Sequence, residues 1–148
     1  MDDGPLAALD RFLSDYRDEI RRLTYDVLSR VDERLAGATR MIYSNWNATV
    51  VAYSPDGRTR HAVCSVAAYP RWVNLFFFVG AELPDPHGLL LGKGSTVRSV
   101  RITRPDDFDD RVADLLDAAV AMWPFAFDAR KPTTTTVMSV SDKLRPRR

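Results

Sequence analysis

Apolar residues recur at helical spacing in the first part of the chain, and this pattern predicts two helices. The first begins at Pro5, a residue that suits the first helical turn. The second is longer, takes Ser14 as its N-cap and ends at Gly37. Its apolar stripe consists of Ile20, Leu23, Val27, Val31 and Leu35. Because each helix is apolar on one side only, both helices need a second layer to cover that side.

From Thr39 onward the pattern changes to short strands separated by turn residues. The predicted strands are 41–44, 48–53, 60–67, 71–79 and 97–102, and 133–140 forms a final edge strand or an extended tail. Ser54-Pro55-Asp56-Gly57 is a turn signal, so the strands beside it are expected to form an antiparallel hairpin. Strand 71–79 is apolar on both faces, which predicts a central strand covered on both sides.

A third helix is predicted to open at Pro105 and Asp106 and to close before Pro124. The order of elements predicts a single α+β domain over residues 1–142. In this fold, two N-terminal helices and a C-terminal helix pack on a curved, mainly antiparallel sheet of about five strands. The basic residues 143–148 are predicted to form a disordered tail.

Composition excludes several classes of protein. The net charge of +1 argues against a dedicated nucleic-acid-binding protein, and a single cysteine, Cys64, excludes an internal disulfide. The longest apolar run, 73–79, is shorter than the ~20 residues that a membrane helix needs. The acidic N-terminus lacks the layout of a signal peptide. We therefore expect a cytoplasmic protein with no nucleic-acid or membrane partner.

The first candidate for chemistry is an acidic stripe on the third helix. At about 100° per residue, its members fall within an arc of roughly 80°: Asp106, Asp110, Asp114 and Asp117. Hard cations such as Fe²⁺, Ca²⁺ or Mg²⁺ prefer several carboxylate oxygens. The candidate metal ligands are therefore Asp106, Asp107, Asp110 and Asp114. The alternative is an ordinary solvated helix face, with acids that suit the positive end of the helix dipole.

Asn74 is a polar residue in an otherwise apolar strand, and this makes it the second candidate. With Trp46 and Trp72 it is predicted to line a small-molecule pocket on the sheet, because such pockets combine aromatic walls with a few polar groups. The alternative is that these rings form part of the core.

Two weaker candidates concern anion binding and catalysis. In the glycine-rich loop 88–96, Lys93 is a candidate anion-binding residue together with Arg98 and Arg101, although the loop equally fits a plain connection. It is not a Walker A loop, because Gly94 follows the lysine. No catalytic motif is present. Cys64 is the best candidate nucleophile, and its alternative interpretation is a buried apolar residue.

The order of these elements resembles the YdhG-like family of domains of unknown function, over roughly residues 9–123. The residues that carry the resemblance are Met41-Ile42-Tyr43, Val63 to Phe78, Gly80-Ala81-Glu82-Leu83, Gly92-Lys93-Gly94 and Val97 to Ile102. Some members are described as frataxin-like iron-binding proteins, so the resemblance implies an α+β fold and iron binding. This chain reads Asn45-Trp46 where many members have Met-Pro, and Tyr69-Pro70-Arg71 where many carry a lysine.

These observations together predict a non-enzymatic binding protein. The first hypothesis is a weak iron or divalent-cation chaperone that uses the acidic stripe, with Fe²⁺ or another divalent cation as cofactor. The second is a small-molecule-binding module with an aromatic-lined pocket on the sheet. The third is a protein-interaction domain, in which an exposed edge strand at 48–53 or 133–140 pairs with another chain or with a second copy.

Overall fold

The computed structural model describes residues 4–148, which form three α-helices, six β-strands and short 3₁₀ turns. The helices are α1 (Pro5–Leu13), α2 (Asp18–Arg34) and α3 (Asp110–Met122). The strands are β1 (Thr39–Ser44), β2 (Thr49–Ser54), β3 (Cys64–Ala68), β4 (Val73–Phe77), β5 (Arg98–Ile102) and β6 (Thr134–Val140). Within residues 4–148, no helix combines the length and the apolar character needed to cross a membrane.

The strands form one open sheet in the order β5-β4-β3-β2-β1-β6. Neighbouring strands are antiparallel except β1 and β6, which are parallel. The predicted α+β fold, with two N-terminal helices and a C-terminal helix on a mainly antiparallel sheet, is confirmed. The described residues give the sheet six strands rather than about five, because the segment 134–140 pairs with β1.

The strand order decides which backbone edges are open. β2 lies between β1 and β3 and is paired on both sides, so the prediction of an exposed edge at 48–53 is wrong. The two edge strands are β5 and β6. Leu91 forms an isolated bridge to Ser99 and covers part of β5. β6 is therefore the longer open edge.

All three helices pack on one face of the sheet. Their apolar stripes share a core with alternate strand residues such as Val51, Val66 and Leu75. The opposite face carries a smaller cluster around Met41 and Ala52 that contains no helix residue. Strand β4, predicted to be central and covered on both faces, is next to the edge and has a helix layer on one face only. One face of the sheet is thus free of helices.

The connection between the first two helices differs from the prediction. Ser14 caps the end of α1, where its Oγ donates to the Arg11 carbonyl at 2.6 Å, and α2 begins only at Asp18. The side chain of Ser14 thus bonds backward along the chain, so it cannot serve as the predicted N-cap. Helix α2 ends at Arg34, and Gly37 turns the chain away with a positive φ of 84°, as its position predicts.

Candidate functional site

The predicted acidic stripe does not lie on one helix. Asp106 and Asp107 belong to a 3₁₀ turn, Pro105–Asp107. Phe108 then leaves the helical region with φ −90° and ψ 81°, and α3 begins at Asp110. The helical spacing that aligned Asp106 with Asp110 therefore does not apply, because it assumes one unbroken helix.

The carboxylate of Asp107 is occupied by the backbone of its own turn. It accepts hydrogen bonds from Thr103 N at 2.9 Å, from Thr103 Oγ1 at 2.8 Å and from Arg104 N at 3.3 Å. The bond from the Thr103 backbone is the main cause that lowers the pKa of Asp107. Asp107 therefore holds a turn together through one oxygen, Oδ2, which accepts all three bonds.

The remaining acids of the stripe face different surroundings. Asp110 lines a cleft that also contains Arg34, and Asp114 lines a separate cavity with Arg111. Asp117 lies 3.8 Å from Arg34 Nη1. No group of three or more His, Cys, Asp or Glu side chains in residues 4–148 is arranged to hold a metal ion. The metal site thus stays a prediction from the sequence.

Lys93 is exposed in the loop before β5. The neighbouring guanidinium of Arg98 donates to Gly94 O at 2.5 Å and to Val97 O at 2.8 Å, so it ties the loop together. Arg101, the other predicted anion ligand, lies against a tryptophan ring on the sheet. Because Arg98 and Arg101 are engaged elsewhere, anion binding by Lys93 also stays a prediction.

Cys64 is fully buried in the core, and burial raises the pKa of its thiol. The thiol therefore stays protonated at neutral pH, which disfavours a role as nucleophile. His61 lies in a 3₁₀ turn, with Nδ1 2.6 Å from Asp56 Oδ2 and its ring stacked on Phe125 at 3.8 Å. This histidine contributes to a local hydrogen-bond and ring cluster.

Trp72 and Asn74 lie on the sheet face that no helix covers. Val73 belongs to the helix-side core, and side chains alternate along a strand, so its two neighbours project to the opposite face. Trp72 Nε1 and Asn74 Oδ1 are both buried, and neither has a hydrogen-bond partner within residues 4–148. Each unpaired buried polar atom costs about 1–3 kcal/mol. Such atoms are rare in native proteins and call for a physical explanation.

The indole of Trp72 is held by neighbours on the same face. The guanidinium carbon of Arg101 lies 3.9 Å from the ring centre, and Arg101 is the cross-strand neighbour of Asn74. The Tyr69 ring lies 6.1 Å away at a tilt of 34°. Tyr69 N donates to the Trp72 carbonyl at 2.9 Å across the β3–β4 turn. Sheet pairing therefore fixes where these side chains stand.

A cavity of about 340 Å³ opens beside this indole. Its lining residues are Asn47, Tyr69, Pro70, Trp72, Arg145 and Pro146. They come from the β1–β2 loop, the β3–β4 turn and the C-terminal segment. Rings, prolines and a few polar groups are the usual composition of a small-molecule site, and the volume falls within the range of such sites. We refer to it as the Trp72 cavity.

Trp46 and Asn74, the other two residues of the predicted pocket, do not line the Trp72 cavity. The Trp46 side chain is 52% exposed, while the adjacent residue Asn47 forms part of the wall. The Trp46 carbonyl accepts a hydrogen bond from Arg145 N at 2.9 Å. The backbone of Trp46 thus holds Arg145, which is part of the cavity wall.

The tail 143–148, predicted to be disordered, is anchored on the β1–β2 loop. Arg147 is only 5% exposed and donates to Asn45 O at 2.7 Å and to Trp46 O at 3.2 Å. Its guanidinium also lies 5.5 Å from the centre of the Tyr16 ring. Because β6 runs parallel to β1, the chain leaves β6 at this end of the sheet, where Ser141 N donates to the carbonyl at the end of β1 at 2.8 Å.

Five residues of the Trp72 cavity were not predicted as site residues. Tyr69 had a usable signal, since Tyr69-Pro70-Arg71-Trp72 reads as a tight turn that places both rings side by side. Asn47 and the tail residues had none. The hydrogen bond from Arg147 to Trp46 joins positions that are 101 residues apart, and local sequence patterns carry no information on such contacts.

Comparison with known proteins assigns no function to this site. No family model, no curated protein and no solved structure matches the chain. The resemblance to the YdhG-like family therefore stays a prediction.

Proposed function

We propose that this chain is a non-enzymatic binding protein for a small aromatic ligand, and that the Trp72 cavity is its site. The observation that carries the proposal is the unpaired donor Nε1 of Trp72, a residue that lines an aromatic-walled cavity. A ligand that lies beside the indole and offers a hydrogen-bond acceptor supplies a partner for this donor.

Aromatic surface in the wall favours an aromatic ligand. Trp72 and Tyr69 each present a ring, and Pro70 and Pro146 add apolar surface. A ring that stacks on another ring gains about 0.5–1.5 kcal/mol beyond simple burial. Since the Trp72 indole is already held by Arg101, little side-chain freedom remains to be lost on binding.

The same lining favours binding over catalysis. Its titratable side chains are Tyr69 and Arg145. Burial, helped by Tyr16, raises the pKa of Tyr69, and an arginine stays protonated throughout the physiological range. Neither group is a general base near neutral pH, where proton transfer by an enzyme needs one. The cavity therefore holds and orients a ligand without a group to transform it.

A paired substitution tests the proposal. Calorimetric titrations with a panel of 2-naphthol, 2-naphthoate and indole are run on the unaltered protein, on Trp72→Leu and on the control Trp46→Leu. We expect saturable binding of at least one compound, loss of that binding in Trp72→Leu, and retention in Trp46→Leu, because the Trp46 ring does not line the cavity. Thermal unfolding of both variants verifies the fold. If no compound binds, or if both variants bind alike, the proposal is wrong.

A further inference from the structure

The positive charge in the wall of the Trp72 cavity narrows the proposed ligand to one chemical class. We infer that the Trp72 cavity selects a planar aromatic anion, with its ring against Trp72 and Tyr69 and its acid group on Arg145. This inference rests on the proposed function and adds the requirement for negative charge. The class includes aryl carboxylates, and an aryl phosphate shares the same chemistry.

Arg145 is the charged side chain in the lining of the cavity, and its position is fixed. Its backbone N–H donates to Trp46 O at 2.9 Å, and its Nη1 donates to Asn47 Oδ1 at 3.3 Å. It forms no ion pair with any carboxylate of residues 4–148. A guanidinium has several N–H donors, so most of those on Arg145 remain available to a ligand.

Two more arginines at this end of the sheet also lack a carboxylate partner within the described residues. Arg101 lies on the Trp72 ring, and Arg147 bonds to backbone carbonyls. Neither forms an ion pair in residues 4–148. The whole chain carries a net charge of only +1, so this local excess of positive charge is not a general property of the protein. Such a local field attracts anions.

A carboxylate on an aromatic ring matches this arrangement best. The guanidinium fork pairs with the two oxygens of a carboxylate in one plane, and a ring that carries the carboxylate directly places both groups against one flat wall. Because Arg145 is exposed to solvent, the pair is screened, and we expect the charge to improve the dissociation constant by up to about fivefold at low salt.

Matched ligands separate the contribution of charge from that of the ring. The quenching of tryptophan fluorescence is titrated with 2-naphthoate, with the neutral 2-naphthalenemethanol, and with cyclohexanecarboxylate as a non-aromatic anion. The proteins are the unaltered chain, Arg145→Gln, and the control Arg148→Gln, which removes the same charge from an exposed residue outside the lining. We expect the naphthoate to bind up to about fivefold more tightly than the alcohol. This preference should be lost in Arg145→Gln and kept in Arg148→Gln.

The possible results distinguish the inference from the proposal beneath it. Equal binding of naphthoate and alcohol to the unaltered protein overturns the selection of anions and leaves aromatic binding intact. A preference for naphthoate that survives in Arg145→Gln overturns the role of Arg145. Cyclohexanecarboxylate that binds as tightly as naphthoate overturns the requirement for a ring. If none of the three compounds binds, the inference is wrong, and if 2-naphthol and indole also fail to bind, the proposed function is wrong as well.

Discussion

Asn74 is the polar residue in strand β4, whose other residues are apolar. Its cross-strand neighbours on the open face are Ala67 and Arg101, and its Oδ1 is buried without a partner. A half-buried strand position gains more from an apolar, β-branched side chain. We therefore interpret Asn74 as a residue that lowers the stability of the sheet.

Asn74→Val tests this interpretation. The substitution removes a buried unpaired acceptor, so we expect the free energy of unfolding to rise by about 1 kcal/mol. Urea unfolding measures this change. Asn47→Val is the matched control, because the Asn47 amide oxygen already accepts a hydrogen bond at the surface and its loss brings no gain. A variant that is less stable than the unaltered protein contradicts the interpretation.

The carboxylate of Asp56 gives a prediction for acid stability. Burial raises its pKa, but hydrogen bonds from Arg58 N, His61 and Ser54 outweigh this effect and lower it from 3.8 to about 2. Because the pKa is lower in the folded state, the ionised group stabilises the fold. That contribution is complete above about pH 4 and is lost as the pH falls toward 2.

The corresponding variant is Asp56→Asn. The Asp56 side chain is 40% exposed, so we expect a loss of at most about 1 kcal/mol at pH 7, shrinking to nothing near pH 2. Urea unfolding across this pH range measures it, with Asp15→Asn at an exposed site as control. A deficit of the same size at every pH goes against the expectation.

The local sequence pattern predicted most of the helices and strands. It did not predict which strands pair with each other, and it missed some of the boundaries. Alternation and turn residues identified the strands, because these signals act between near neighbours. The prediction missed the start of α3, because Phe108 interrupts the helix after a 3₁₀ turn. The acidic stripe assumed one unbroken helix, so the predicted alignment of its carboxylates does not form. The parallel pairing of β6 with β1 joins distant segments. The tail that completes the Trp72 cavity was missed for the same reason.

Strand β6 is the element on which the predicted self-association depends. It is an uncharged edge strand with exposed side chains at Met138 and Val140, and unpaired edges of this kind pair with other strands. We expect a homodimer in which two β6 strands pair. A lysine introduced at this edge should prevent the pairing. Light scattering after size exclusion should give twice the chain mass for the unaltered protein and the chain mass for Met138→Lys. A monomer in both cases rejects the dimer.

As a whole, the molecule is a sheet with one covered face and one free face. The helices bury the covered face, and the Trp72 cavity lies at the end of the free face where two loops and the tail meet. Hydrogen bonds from the tail to the β1–β2 loop hold part of the cavity wall. In the function that we propose, a wall held in this way reduces the entropy lost on binding. The proposed site then lies on the free face, and the helices stabilise the fold.

The most direct test follows the indole N–H signals by ¹H–¹⁵N NMR during a titration with 2-naphthoate. Trp72→Phe assigns the Trp72 signal. Trp123 serves as the internal reference, because its Nε1 already donates to the His61 carbonyl at 2.8 Å. We predict a saturable shift of the Trp72 signal, because the ligand reaches an unpaired donor and stacks on its ring, while the Trp123 signal stays unchanged. A Trp72 signal that stays fixed to the highest ligand concentration contradicts this prediction.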